Sequence, residues 1–99
     1  MKFSEVLESL RNGERLTNAT LSSNGSFICR QVPQAVDKAI IPKMSSLPEG
    51  VKEFLKDRGD ICYHDQVLLV EWDSVREVHM ATSYIPTWFD IFREDWTIC

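Results

Sequence analysis

The sequence predicts an α+β fold: a single small domain over residues 1–99, in which two or three short helices lie on an antiparallel sheet of about five strands. Three observations lead to this prediction. Apolar residues recur at helical spacing near the N-terminus, runs rich in β-branched and aromatic residues are separated by turn residues, and a helix start follows the last of these runs.

The first helix is indicated by four apolar residues at helical spacing, which are Phe3, Val6, Leu7 and Leu10. We expect the helix to cover residues 4–12, with Ser4 as its N-cap and Glu5 in its first turn, where the helix dipole favours a negative charge. Gly13 should end the helix, because glycine readily adopts the positive φ that follows many helix C-termini.

A hairpin is predicted next. Residues 15–19 read as its first strand and residues 27–32 as its second. Residues 21–26 lie between them and include Asn24 followed by Gly25, a pair that favours positive φ and therefore a turn.

The middle of the chain predicts a second helix. After Pro33, which should end the preceding strand, residues 39–41 are expected to form a short strand. A helix over residues 48–58 follows, with Pro48 in its first turn and Gly59 at its end. Its expected apolar face consists of Val51, Phe54 and Leu55.

The C-terminal third predicts a second hairpin and a last helix. Residues 67–72 and 77–85 read as strands around a turn. Pro86 should end the second of these strands, and Thr87 followed three residues later by Asp90 is typical of a helix N-cap with an acidic residue at N3. A final extended stretch should run from Asp95 to Cys99.

Charge and hydropathy exclude several classes of protein. The net charge of −4 argues against a nucleic acid polymer as partner, because phosphate backbones are bound by basic surfaces. No apolar run approaches the roughly 20 residues of a membrane-spanning helix. No apolar leader segment is visible at the N-terminus, so a cytoplasmic location is expected.

The cysteines and histidines do not form a recognisable metal or catalytic set. Cys29, Cys62 and Cys99 are predicted to be free thiols, because three is an odd number and no CxxC pair occurs. Cys62 and His64 could supply two metal ligands, whereas zinc takes three or four, so no metal or cofactor is expected. His79 should be a strand residue. Without a Gly-rich phosphate loop or a nucleophile motif, the sequence indicates binding rather than catalysis.

Four aromatic residues lie on or beside the C-terminal hairpin: Trp72, Tyr84, Trp88 and Trp96. Aromatic faces can hold nucleobases by stacking, which contributes about 1–3 kcal/mol per base. The same residues can instead close the core of a small sheet. Thr87 and Asp90 similarly admit two interpretations, as a plain helix cap or as ligand contacts.

The C-terminal motif resembles that of a known family of small phage proteins. The motif residues are Tyr84, Pro86, Thr87, Asp90, Ile91, Phe92, Glu94, Asp95 and Trp96. They are similar to the pattern aromatic-x-Pro-Ser/Thr-x-x-Asp-aliphatic-aliphatic-x-x-Asp-Trp of the second family of Thoeris anti-defence proteins. Residues 3–16 also resemble the opening helix, glycine stop and first strand of that family. The resemblance covers about residues 3–29 and 66–99.

This resemblance implies a phage protein that acts in the host cytoplasm and inhibits Thoeris defence. Members of the family are non-catalytic sponges that bind cyclic ADP-ribose isomers, and some also bind cyclic dinucleotides. They are homotetramers with ligand pockets between subunits. The ligand-binding residues implied for this chain are Leu21, Asn24, Gly25, Tyr84, Thr87 and Asp90, with Trp72 and Trp88 added as candidate stacking residues. The family usually has a Trp where this chain has Leu21.

Binding energetics also favour a site shared between copies of the chain. Nanomolar capture corresponds to about −12 kcal/mol, whereas a ligand of roughly 35 heavy atoms usually gains only about −10 kcal/mol. Near-complete enclosure and charge-assisted bonds to phosphate are therefore required. A pocket of roughly 300–1,000 Å³ would leave little core in so short a chain, so we expect a homo-oligomer. Candidate phosphate donors are Arg30, Arg76, Arg93 and the backbone N–H groups at the Thr87 helix start.

Two other functions remain open at this point. The chain could be a protein–protein interaction module that inhibits a host enzyme through its aromatic surface, an alternative that the Leu21 substitution favours. It could also be a degenerate cyclic-nucleotide hydrolase, although no metal set or general base is visible in the sequence.

Overall fold

A computed structural model describes residues 1–32, 34–63 and 65–99 and confirms the α+β prediction. The chain forms two compact units, the first made of Met1–Gln31 with Gln66–Cys99 and the second of Val32–Asp65. The elements of the first unit are α1 (Phe3–Arg11), β1 (Leu16–Thr17), α2 (Ala19–Ser22), β2 (Phe27–Gln31), β5 (Gln66–Asp73), β6 (Val78–Ser83), α4 (Trp88–Phe92) and β7 (Thr97–Ile98). Those of the second are β3 (Gln34–Val36), a 3-10 helix (Ile41–Lys43), α3 (Glu49–Leu55) and β4 (Ile61–Tyr63).

The first unit is built on a five-stranded antiparallel sheet in the order β6-β5-β2-β1-β7. The predicted N-terminal hairpin is confirmed, since Leu16 of β1 pairs with Ile28 of β2. The C-terminal hairpin of β5 and β6 is confirmed as well, and Asp73 closes its turn by accepting hydrogen bonds from the N–H groups of Val75 and Arg76. The final strand, β7, pairs with β1 at the sheet edge.

Helix α1 confirms the predicted N-terminal helix but begins earlier than expected. It starts at Phe3, so Ser4 lies inside the helix instead of capping it, and Glu5 accepts a 2.9 Å hydrogen bond from the Lys2 N–H. Gly13 ends the helix as predicted: its φ is +86°, and its N–H donates to the Leu10 carbonyl at 3.0 Å. A left-handed residue at this place is the standard glycine stop.

Helix α2 replaces the end of the predicted first strand, so the prediction of a strand over residues 15–19 was too long. Asn18 accepts a 2.9 Å hydrogen bond from the Leu21 N–H through its side-chain oxygen, which caps α2 and turns the chain out of the sheet. The predicted turn is present beyond the helix, where Gly25 has a φ of +69°.

The core of the first unit is small and closes around one indole. Its buried residues are Val6, Leu10, Leu16, Ile28 and Trp96. Trp96 is 1% exposed, its ring meets those of Phe3 and Tyr84 edge to face, and its Nε1–H donates to the Asp90 carbonyl at 3.0 Å. For Trp96, the interpretation as a core residue is therefore correct.

The second unit departs most from the sequence predictions. Residues 39–41 form no strand, because Asp37 accepts hydrogen bonds from the Ala39 and Ile40 N–H groups and bends the chain into a turn. The short strand of this region is β3, which pairs with β4 in a two-stranded sheet.

Helix α3 is shorter than predicted and its apolar face is not buried. It ends at Leu55, because Lys56 is extended and Asp57 has a φ of 58°, and Gly59 lies beyond it in the following turn. Phe54 is 64% exposed and carries the Arg58 guanidinium over its ring at 4.7 Å. A cationic cover of this kind partly shields an exposed ring.

Several predictions concern cysteines, histidines and membrane segments. Cys29, Cys62 and Cys99 are all free, and burial raises the pKa of the Cys29 thiol. His79 lies in β6, as predicted. Pro33 and His64 are outside the described residues. Within the described part of the chain, no helix is long and apolar enough to cross a membrane.

Candidate functional site

Helix α4 is set by the local chemistry that the sequence predicted. The Thr87 Oγ1 accepts a hydrogen bond from the Asp90 N–H at 3.2 Å, and the Asp90 Oδ2 accepts one from the Thr87 N–H at 3.0 Å. This reciprocal pair is a capping box, so the predicted cap is confirmed. It fixes the rotamer of Asp90 and leaves the other carboxylate oxygen uncommitted to the cap.

A cavity of about 370 Å³ lies in the first unit next to this helix. Its walls come from α2 and its cap residue, from β5, from the end of β6 with the two residues that follow it, and from α4 with its C-cap residue. The lining residues are Asn18, Thr20, Leu21, Leu69, Ser83, Tyr84, Ile85, Asp90 and Arg93. The cavity is within the lower part of the roughly 300–1,000 Å³ range typical of small-molecule sites.

Three of the predicted site residues line this cavity: Leu21, Tyr84 and Asp90. Thr87 does not line it but caps the helix that holds Asp90. Four other predicted site residues do not line the cavity, namely Asn24, Gly25, Trp72 and Trp88. Asn24 and Gly25 form the turn after α2.

The two remaining predicted tryptophans lie away from the cavity, each against another ring. Trp72 is paired across the β5–β6 ladder with His79, and their ring centroids are 5.0 Å apart. Trp88 is 78% exposed, and its ring centroid is 4.9 Å from that of Phe92 on the same helix. Phe89 and Phe92 are also exposed, and we call these three side chains the α4 aromatic face.

Arg93 lines the cavity and also binds Thr20 near the start of α2. Its guanidinium binds the Asp95 carboxylate in a bidentate manner, with Nε–Oδ1 and Nη2–Oδ2 distances of 2.5 and 2.7 Å. Both terminal nitrogens also donate to the Thr20 Oγ1 at 3.2 Å. Asp95 in turn accepts a 3.0 Å hydrogen bond from the Ala19 N–H. The side chain of Arg93 is only 11% exposed, so this charge is held in a fixed position.

The Tyr84 hydroxyl is the unusual polar group of the site. It is buried and has no hydrogen-bond partner among the residues that the structure describes. Burial raises the pKa of Tyr84 well above its usual range, and the nearby Asp90 carboxylate raises it further. Asp90 acts on the hydroxyl first through a close, hydrogen-bond-like approach of its side chain and second through its charge, although no hydrogen bond of normal geometry joins the two groups. The hydroxyl is therefore protonated and, among the described residues, has no acceptor at normal hydrogen-bond geometry.

The Arg93–Asp95 pair makes the protein sensitive to acid. The hydrogen bonds from Arg93, followed by that from Ala19, hold the pKa of Asp95 far below its usual range. A depressed folded-state pKa stabilises the fold above the unfolded-state value, and this stabilisation is lost as the pH falls through the folded-state pKa. Because Asp95 is solvent-accessible, salt should weaken the effect.

We therefore expect Asp95→Asn to be less stable than the wild type at neutral pH, and the difference to shrink as the pH falls below about 4, the ordinary aspartate value. Urea unfolding at a series of pH values measures this. Glu94→Gln is the matched control, since it removes an adjacent carboxylate that is not part of the pair. A constant difference between Asp95→Asn and the wild type at all pH values would contradict the expectation.

Sequence reasoning missed several lining residues, chiefly Asn18, Thr20 and Ser83. Asn18 did carry a usable signal, because asparagine is a preferred helix N-cap. Thr20 carried none, since its role depends on Arg93, which lies 73 positions further along the chain.

The predicted phosphate donors are distributed over different places. Of the three arginines, Arg93 lines the cavity, Arg30 donates to the Arg11 carbonyl at 3.3 Å, and Arg76 lies in the β5–β6 turn beside Asp73. The N–H groups of Thr87 and Asp90 at the start of α4 are occupied by the capping box. Arg93 is thus the predicted donor that is positioned to reach a molecule in the cavity.

No model of a known protein family matches the chain, and a search of curated proteins gives no match. Within the part of the chain that the structure describes, no three His, Cys, Asp or Glu residues are grouped so that they could hold a metal ion.

Proposed function

We propose that this protein binds and sequesters a cyclic nucleotide immune signal, a cyclic ADP-ribose isomer or a related cyclic dinucleotide, without cleaving it. The observation that carries the proposal is the common position of Leu21, Tyr84 and Asp90. Leu21 is far from Tyr84 and Asp90 in the sequence. All three were singled out by the Thoeris anti-defence resemblance, and all three line the cavity of the first unit.

The polar groups of the cavity suit the nucleoside part of such a ligand. Asp90 offers a carboxylate oxygen that the capping box does not use, which can accept from a ribose hydroxyl or an adenine amino group. Tyr84 and Leu21 add ring and aliphatic surface for a base. Because Arg93 shares its charge with Asp95, the cavity is poorly suited to hold several phosphate oxygens by itself.

The size of the cavity favours a site completed by a second copy. A volume of about 370 Å³ lies near the lower limit for a ligand site, so a cyclic dinucleotide would extend beyond it. The α4 aromatic face begins at Trp88, directly after the cap residue Thr87, and it is exposed. Burial of such a face between subunits would remove apolar surface from water and would bring a second copy next to the helix that holds Asp90. We therefore propose a homo-oligomer, with a tetramer suggested by the resemblance.

Titration calorimetry against cyclic ADP-ribose isomers and cyclic di- and trinucleotides tests the proposal. We expect one of these ligands to bind at nanomolar strength and to raise the melting temperature, by mass action, in a thermal-shift assay. Heating the complex should release the ligand chemically unchanged. Recovery of a converted product would instead identify an enzyme, and failure of all these ligands to bind would overturn the proposal.

A matched pair of variants connects binding with the cavity. Asp90→Asn keeps an oxygen for the capping box but removes the negative charge, so affinity should fall by about tenfold or more, as expected for a lost charge-assisted hydrogen bond. Glu94→Gln makes the same change outside the cavity and should bind like the wild type. Equal affinity of the two variants would exclude this cavity as the ligand site.

The α4 aromatic face supports a second candidate function, a protein–protein interaction module that inhibits a host enzyme. Trp88, Phe89 and Phe92 are large, exposed and adjacent, and exposed patches of this kind often mark interfaces. Trp88→Ala should then abolish capture of a host protein while the cyclic nucleotides show no binding to the wild type. Light scattering separates this candidate from the homo-oligomer, since a module that acts alone is monomeric at micromolar concentration.

A further inference from the structure

The second unit contains a cavity of its own, about 300 Å³ in volume. It lies between the turn before the 3-10 helix, that helix, and α3 with the turn that follows it. The lining residues are Lys38, Ala39, Ile41, Pro42, Lys52, Leu55, Lys56 and Asp57. Ile41 is buried and Leu55 is half-buried. The walls therefore combine an apolar surface with three lysine side chains.

Two of these lysines have no partner for their charge. Among the described residues, the ammonium groups of Lys38 and Lys56 form no ion pair and no hydrogen bond. Lys52 differs, because its Nζ is 2.8 Å from the Glu49 Oε1 and donates to the Met44 carbonyl at 2.9 Å. Lys52 thus fastens α3 to the segment after the 3-10 helix, whereas Lys38 and Lys56 have no comparable structural role.

The neighbouring acidic groups form no ion pair with these two lysines. Asp60 accepts a 2.8 Å hydrogen bond from the backbone N–H of Lys38, and Asp37 accepts one of 2.8 Å from the Ala39 N–H. Asp57 lines the cavity but pairs with neither lysine. Three lysines and one carboxylate, that of Asp57, line the cavity, so its lining is net positive within a protein whose net charge is −4. Like charges around one cavity repel, and a bound anion would relieve that repulsion.

We propose that this cavity is a second binding site, independent of the first, for a small organic anion with an apolar body. Lys38 and Lys56 hold the anionic head, which can be a sulfonate, carboxylate or phosphate, since an ammonium group recognises each of them as a point charge. Ile41, Pro42 and Leu55 contact the apolar body. A purely inorganic anion would leave this apolar wall unused, and a neutral apolar molecule would leave both ammonium groups unpaired.

A smaller cavity shares lining residues with this one, which suits a ligand that extends beyond its head group. The smaller cavity is about 210 Å³ in volume, and Pro42, Lys52 and Lys56 line both it and the 300 Å³ cavity. Its other lining residues, Glu49 and Glu53, are acidic. The anionic head is therefore directed to the Lys38 side, away from these carboxylates.

Fluorescence titration with 8-anilinonaphthalene-1-sulfonate tests the proposal on the whole chain, because this probe joins a sulfonate to an aromatic body. N-phenyl-1-naphthylamine has the same body without the charge and should bind at least about tenfold more weakly to the wild type, because it makes no charge-assisted bonds. The double variant Lys38→Gln/Lys56→Gln should lose about tenfold or more in affinity for the sulfonate probe. Far-UV circular dichroism establishes that the variant is folded.

The matched control is Lys43→Gln, which removes a lysine of the same unit that does not line the cavity. It should bind the sulfonate probe like the wild type, and so should Asp90→Asn in the first unit. The proposal is overturned if the double variant keeps wild-type affinity, if Lys43→Gln weakens binding equally, or if the neutral probe binds as tightly as the charged one.

Discussion

Trp96→Ala is expected to lower the free energy of unfolding by about 3–5 kcal/mol, the usual range for removing a large buried aromatic side chain. Trp96 is the largest buried side chain among the described residues. It touches Phe3 of α1 and Tyr84 after β6, and its indole N–H binds the Asp90 carbonyl in α4. One substitution therefore removes ring packing against Phe3 and Tyr84 and leaves the partly buried Asp90 carbonyl without its donor.

The consequence for the whole protein should be large. Small domains have a total stability of only about 5–15 kcal/mol, so the variant should be partly unfolded at room temperature or melt far below the wild type. Urea unfolding followed by circular dichroism measures the difference. Trp96→Phe separates the two contributions, since it keeps part of the ring packing but loses the hydrogen bond to Asp90, and it should be intermediate.

Trp88→Ala is the matched control, because Trp88 lies eight positions earlier and is mostly exposed. In a single chain it should change the unfolding free energy by less than about 0.5 kcal/mol. If the α4 aromatic face is buried between copies, the effect should grow with protein concentration. Equal, small effects of Trp88→Ala and Trp96→Ala would contradict the position of Trp96 in the core.

The elements that the sequence predicted well depend on neighbouring residues alone. The reciprocal cap of Thr87 and Asp90 spans three positions, and the Gly13 stop follows directly after its helix. Both signals act through hydrogen bonds and φ preferences within one turn, so they do not depend on the structure of the rest of the chain. The β5–β6 hairpin belongs to the same class, since its turn is closed by Asp73.

Two of the failures involve contacts that a local sequence pattern does not record. The strand predicted at residues 15–19 ends early because Asn18 caps α2, whose first N–H is held by Asp95 from the other end of the chain. In α3, periodicity placed Phe54 on the apolar face of the helix, but it does not say what covers that face, and Phe54 is exposed.

The residues of the candidate site divide in the same way, into those that a local motif identifies and those that depend on contacts in the folded chain. Tyr84 and Asp90 lie on one short motif and could be found from it, and Leu21 came only through the family resemblance. Arg93 was one of several candidate donors, and its bonds to Thr20 and Asp95 distinguish it from the others only in the folded chain. Charged residues can be counted in a sequence, whereas the groups that they bind in the folded chain cannot be identified from it.

Tyr84→Phe is expected to change stability and binding in opposite directions. A buried hydroxyl without a partner costs about 1–3 kcal/mol relative to an apolar group of the same shape. Tyr84 carries such a hydroxyl among the described residues, while its ring packs on Trp96 and its N–H donates to the Val67 carbonyl at 2.8 Å. Phenylalanine keeps the ring contact and the backbone bond, so the free energy of unfolding should rise by about 1 kcal/mol.

The effect on binding should be a loss, because a group kept at a cost to stability in a cavity wall is a candidate for ligand contact. If the first-unit cavity binds the cyclic nucleotide, the hydroxyl can donate to a ligand oxygen, and its removal should weaken binding about tenfold. Thermal unfolding with and without ligand measures both quantities on one sample: the free protein should melt higher and the ligand-induced shift should shrink.

Tyr63→Phe, in β4 of the second unit, is the control, as its hydroxyl is not an unpaired buried group. A destabilised Tyr84→Phe would mean that Asp90 accepts a hydrogen bond from the hydroxyl in solution, whereas a stabilised variant with unchanged affinity would leave the hydroxyl outside the ligand contacts.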